Sequence, residues 1–212
     1  MEPILRNQMA KLEFVGPRKA LLASQIRRTF TDHPCFPKPI RDWRLHRLNR
    51  HRFLEQAALL CFGRKCVDSS ASWAVALWPE EHSDIDCVFR RRAISGDEQF
   101  ELVQLKEWVP EELNKTQTLQ SLLDELPTSY PVSPDVAVGI YMNRIAQTKL
   151  ADLRVPKLNI SALWLFGAGG EPPHNSFLFG NVLQNPCLCF FSRPRFRPGE
   201  SSSDWKTALD DE

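Results

Sequence analysis

Apolar residues along this chain recur at two spacings. Over residues 42–62, Trp43, Leu45, Leu48, Phe53, Leu54, Ala57, Ala58, Leu60 and Cys61 fall mostly three or four apart. That predicts an amphipathic helix, with Gly63 as its C-terminal stop. Farther on the period shortens to two. "SWAVALW" (72–78), closed by Pro79, reads as a strand. "DIDCVFR" (84–90) reads as a second, with Ile85, Cys87 and Phe89 alternating against Asp84, Asp86 and Val88. "FELVQLKEW" (100–108) is a third, reached through the hairpin-turn chemistry of "ISGDEQ". Leu119, Leu122, Leu123 and Leu126 then mark the stripe of a second helix, stopped by Pro127. "DVAVGIYMN" (135–143) is apolar enough for a central strand. "ISALWLFG" and "SFLFGNVL" add two strands around the turn "AGGEPPHN".

The order helix, three strands, helix, strand predicts an α/β domain with a mixed sheet in two or three layers. Consecutive strands form a meander, and a helical crossover makes the fourth strand parallel to its neighbour. Three regions follow: a basic, partly helical N-terminal extension (1–49), the α/β domain (50–193), and a polar, unpatterned segment (194–212) expected to be a disordered tail. "HPCFPKPI", with three prolines, is a loop.

Composition narrows the setting. At 212 residues and 42% hydrophobic, the chain suits one globular core. No apolar run approaches the roughly 20 residues of a membrane span, and the N-terminus lacks a signal-peptide apolar core, so no membrane partner is expected. Six cysteines show no disulfide-framework spacing, which makes a reducing, cytoplasmic location the expectation. Cys61 and Cys87 read as core residues, and the Cys187/Cys189 pair lacks a second His or Cys pair at zinc spacing. Charge is uneven. Residues 1–52 hold twelve Lys+Arg against four Asp+Glu, densest in "IRDWRLHRLNRHRF". Arg41, Arg44, Arg47, Arg50 and Arg52, with Arg64 at the far end of the helix, are expected to contact phosphates.

The third strand raises the chemical question. Gln104 and Lys106 lie two apart among Phe100, Leu102, Val103 and Leu105, so an amide and an ammonium share one face of a mostly apolar strand. A buried lysine needs compensation. Asp86 on the neighbouring strand supplies a carboxylate, with Asp84 as an alternative on the same face, and Glu55 of the first helix can supply a second acid. Carboxylate and carbonyl oxygens suit hard cations such as Mg²⁺ or Mn²⁺. A cation beside a lysine suits phosphodiester hydrolysis.

This arrangement over residues 50–144 resembles the PD-(D/E)XK nuclease superfamily, which has a restriction-endonuclease-like αβββαβ core. "VQLK" (103–106) is similar to the Mrr-like variant, in which glutamine replaces the usual acid before the lysine. "DID" is similar to the family's aspartate strand, and "FLEQAALL" to its first-helix glutamate. The resemblance implies a metal-dependent nuclease acting on nucleic acid, with DNA the expected substrate. It implies catalytic Asp86, Gln104, Lys106 and Glu55, and a metal held by Asp86, Gln104, Glu55 and the Leu105 backbone carbonyl. A chain that kept this fold without catalysis would act as a nucleic-acid-binding or interaction module.

Overall fold

The computed structural model describes residues 3–31, 34, 35, 37, 44, 46–79, 84–144, 149, 152–169, 175–184 and 186–194. Its elements are α1 (Pro3–Met9), α2 (Pro17–Thr31), α3 (His46–Val67), β1 (Ser72–Leu77), β2 (Cys87–Arg92), β3 (Glu98–Trp108), α4 (Leu119–Ser129), β4 (Ser133–Met142), β5 (Ile160–Ala168), β6 (Ser176–Gly180) and β7 (Cys187–Phe191). The seven strands form one mixed sheet in chain order, β1 to β7. The β1–β3 meander is antiparallel, β3–β4 and β4–β5 are parallel, and β5–β7 are antiparallel. Gly96, at φ 89°, makes the β2–β3 turn, where its N–H donates to Ala93 O at 2.9 Å.

Strand alternation divides the core. Val103 and Leu105 point to the face covered by α2 and α3, where they join Leu21, Leu59, Leu60 and Phe166. The other face carries two clusters. Val88 and Leu102 meet Met9 of α1. Trp108, Ile140 and Leu165 meet Leu119, Leu122, Leu123 and Leu126 of α4. Gln104 and Lys106 fall between Leu102 and Trp108 on that face, so they lie in the interval between the α1 and α4 clusters.

Several expectations shift. Residues 3–31, part of the stretch read as a basic, partly helical N-terminal extension, contribute Met9, Ala20 and Leu21 to the cores, and Val15 bridges Val75 on β1 through bonds of 3.0 and 2.9 Å. The first helix does not stop at Gly63. Instead, a Cβ there would lie 3.0 Å from the Phe191 ring, so the glycine lets β7 approach the helix. Pro127 sits within the last turn of α4 rather than after it, at the cost of one helical hydrogen bond. "CLCFF" forms an additional strand, β7. Pro194, placed in the tail by the sequence, accepts a bond from Gln25 at 2.5 Å, and residues 195–212 lie outside the described residues. Among the described residues, no helix is long and apolar enough to cross a membrane.

Gly180 marks the tightest approach in the sheet. A Cβ there would lie 1.8 Å from Trp164 Cε3. Gly180→Ala should therefore destabilise the protein by about 1–3 kcal/mol through overpacking, read as a lower urea midpoint. An unchanged midpoint would contradict this packing.

Candidate functional site

β3 outruns its antiparallel neighbour. Pairing with β2 ends at Cys87↔Val103, while pairing with β4 continues to Trp108↔Met142. Asp86 stands just before β2, not inside it as the alternation predicted, and its backbone N–H still donates to Val103 O at 3.0 Å. Its side chain then takes over. Asp86 Oδ2 accepts from the Leu105 backbone N–H at 2.7 Å and from Gln104 Nε2 at 2.6 Å. The N–H and C=O of one strand residue project to the same side. The Leu105 carbonyl therefore opens toward the same gap, beyond the last β2 pair.

Burial pushes the Asp86 carboxyl above its ordinary pKa, against the opposing effects of the Leu105 N–H, the Lys106 ammonium and the Arg52 guanidinium. Gln104, having turned its Nε2 to Asp86, leaves Oε1 buried with no partner. The two ends of a glutamine amide are distinguished by such hydrogen bonds, and rotating the amide would exchange them. A buried oxygen without a donor costs free energy. Lys106 projects its Nζ 5.5 Å from the centroid of the Tyr130 ring, a cation–π contact. Among the described residues, no carboxylate forms an ion pair with it. The Tyr130 hydroxyl is pushed well up by burial and by the negative charges of Asp86 and Asp84. Asp84 itself is exposed.

Asp86, Gln104, Leu105 and Lys106 thus come together. Glu55 does not join them. It sits on α3, the helix covering the Val103/Leu105 face, and accepts from Arg28 Nε at 3.0 Å and Arg28 Nη2 at 2.5 Å, with Arg193 3.8 Å away. Arg28 and Arg193 come from segments outside the stretch that carried the family resemblance. The metal set expected from the sequence is reduced accordingly. The oxygen donors this place offers are the Asp86 carboxylate, the Leu105 carbonyl and, once its amide is rotated, Gln104 Oε1, since Nε2 is the end that faces Asp86. All are hard donors, the chemistry that suits Mg²⁺ or Mn²⁺, and Asp86 is the one carboxylate among them. Among the described residues, no three His, Cys, Asp or Glu side chains form a metal-holding group.

The basic segment is also rearranged. Arg44 Nη2 donates to Glu107 Oε1 at 2.8 Å, Arg52 donates to Glu107 Oε2, and Asn143 Nδ2 donates to Glu107 Oε1 at 2.7 Å. Arg64 lies 4.7 and 4.2 Å from the Trp73 and Trp164 rings, and its Nη1 donates to Glu101 Oε2 at 2.6 Å. Arg50 is exposed, whereas Arg41 and the Arg47 side chain lie outside the described residues. Glu107 escaped the sequence-level reading, although alternation put it on the helix-covered face with Val103 and Leu105, where an acid requires cationic partners. No protein-family model matches the chain, and neither a curated protein nor a solved structure matches it.

The raised Asp86 pKa sets a pH signature. A raised carboxyl pKa means that the folded state holds the proton more tightly than the unfolded chain. The resulting stability is fully present below the ordinary value of 3.8 and is lost as pH rises through the folded value. Urea unfolding across the acid-to-neutral range should therefore show wild type losing stability relative to Asp86→Asn as pH rises. A difference that stays flat, or that grows in favour of wild type, would contradict the burial of this carboxyl.

Proposed function

We propose that the protein is a divalent-metal-dependent nuclease that hydrolyses phosphodiester bonds in DNA. The observation that carries this reading is the grouping of Asp86, the Gln104 amide and the Lys106 ammonium where β3 outlasts β2. The element order from α3 to β4, and the resemblance of "VQLK" to the Mrr-like variant of the PD-(D/E)XK superfamily, support a restriction-endonuclease-like core as the finer description of the α/β sheet.

Asp86, Gln104 and the Leu105 carbonyl would hold Mg²⁺ or Mn²⁺. When bound, such a cation polarises a phosphoryl group and makes a water molecule more acidic. The chain's own groups do the rest. The Leu105 N–H fixes the Asp86 carboxylate. Gln104 is the adjustable donor, since rotating its amide exchanges Nε2 for Oε1. Lys106, which forms no ion pair with a carboxylate among the described residues, directs its ammonium to the phosphate oxygens as negative charge develops on them. Asp86 must lose its proton to serve as a ligand, so its burial ties metal affinity to rising pH.

One observation favours a second reading, a catalytically inactive nuclease-fold module that binds nucleic acid or another partner. Among the described residues the site carries a single, partly buried carboxylate, one of whose oxygens already takes two N–H donors, and a neutral Gln104 stands where most of the superfamily has an acid.

Cleavage of mixed DNA substrates with Mg²⁺ or Mn²⁺ separates the two readings. On the nuclease reading, wild type cleaves, and Lys106→Ala loses about 10²–10³ in rate while retaining its fold and DNA binding. Gln104→Glu should keep or tighten metal binding. A wild-type protein that cleaves no DNA with either cation, yet binds it, would leave the module reading in its place.

A further inference from the structure

A cavity of about 280 Å³ opens on the sheet face opposite Lys106, at the C-terminal end of β3. Four arginines from four separate segments line it: Arg28 from α2, Arg44 from the segment before α3, Arg52 from α3, and Arg193 from after β7. Two carboxylates stand among them. Glu55 is held by Arg28, and Glu107 is shared by Arg44 and Arg52. Exposed Glu112 also lines it. Each guanidinium is a planar fork with five donors. The two inner acids do not use them up. Arg44 Nε, Arg52 Nε and Arg193 Nη2 are all buried with no hydrogen-bond partner.

Unmet donors on cavity-lining cations are expensive in a folded protein, and turning these guanidinium groups toward the cavity would let an acceptor ligand satisfy them. The ligand that fits is an anion rich in acceptor oxygens. A carboxylate offers two oxygens, whereas a phosphate monoester offers three around a tetrahedral centre, and guanidinium forks match it with paired hydrogen bonds. At about 280 Å³ the cavity is near the lower end of small-molecule sites, about 300–1,000 Å³, which suits one phosphate-bearing group rather than a length of duplex.

We propose that this arginine-lined cavity is a binding site for a phosphate monoester, gripped by Arg44, Arg52 and Arg193. The site does not depend on the nuclease reading, because it lies on the other face of β3 from Gln104 and Lys106 and needs no metal ion.

Calorimetric titration of the full chain in chelator-containing buffer tests it. The probes are inorganic phosphate, a nucleoside 5′-monophosphate and the same nucleoside without phosphate. The monophosphate should bind saturably and the bare nucleoside should not. Arg44→Lys and Arg193→Lys keep the charge that Glu107 and Glu55 require but lose the fork, so they should remain folded and weaken binding at least about tenfold. Inorganic phosphate that binds as tightly as the monophosphate would identify the free anion as the ligand. Much weaker phosphate binding would identify an organic phosphate ester. Either outcome supports the site. Absence of saturable binding of both phosphate species by the folded protein would overturn it, as would binding that is unchanged in both lysine variants or that appears only with added divalent cation.

Discussion

The unequal length of two neighbouring strands organises the candidate site. β3 spans eleven residues and β2 six, and the antiparallel pairing ends at Cys87↔Val103. An unpaired strand edge inside a domain leaves backbone groups that must find partners elsewhere. Asp86 supplies one by donating its backbone N–H to Val103 and accepting the Leu105 N–H on its carboxylate. The same act moves a charged group into a partly buried gap, raises its pKa, and turns the Gln104 amide so that its oxygen is left over. A purely structural solution would have continued β2 by two residues. Placing an acid there keeps oxygens, rather than a strand, at the point where the sheet opens.

The two faces of β3 deal with charge differently. Toward α4, Lys106 rests against the Tyr130 ring and is felt by Asp86 without forming an ion pair with it. That answers how a lysine is accommodated among apolar neighbours: an aromatic face and a carboxylate nearby stabilise it, while the ammonium keeps its donors. Toward α3, Glu107 is surrounded by Arg44, Arg52 and Asn143, and a neighbouring Glu55 is held by Arg28. Arg52 connects the two sides, since its charge acts on both Glu107 and Asp86. Substitutions at Arg52 therefore perturb both sites at once, and they are poor probes of either.

Much of the fold could be read from the chain because its strongest periodicities are local. The Leu119–Leu126 stripe and the alternation in β3 appear where they were expected, β2 starts three residues later than its alternation suggested, and the helix crossover does deliver β4 parallel to β3. Errors arose where a distant element decided the outcome. Gly63 looked like a helix stop because its space is needed by Phe191, some 130 residues later. Glu55 looked like a ligand because its arginine partners come from α2 and from beyond β7. The pairing of Arg44 and Arg52 with an acid could not be read from the basic stretch itself, because that acid, Glu107, lies on a strand 63 and 55 residues away. The Asp86, Gln104 and Lys106 grouping was legible because adjacent strands and a period of two suffice to define it.

The central claim, that the Asp86 gap is built for a divalent cation, is tested most directly by titrating ¹⁵N-labelled protein with Mn²⁺ and following amide signals. The account predicts that paramagnetic broadening begins at the Leu105 backbone amide and the Gln104 side-chain amide, is abolished by Asp86→Asn, and leaves the Glu111–Glu112 region unaffected at the same Mn²⁺ concentration. Broadening that begins at exposed acids and reaches Leu105 no sooner than the rest of the sheet would contradict it.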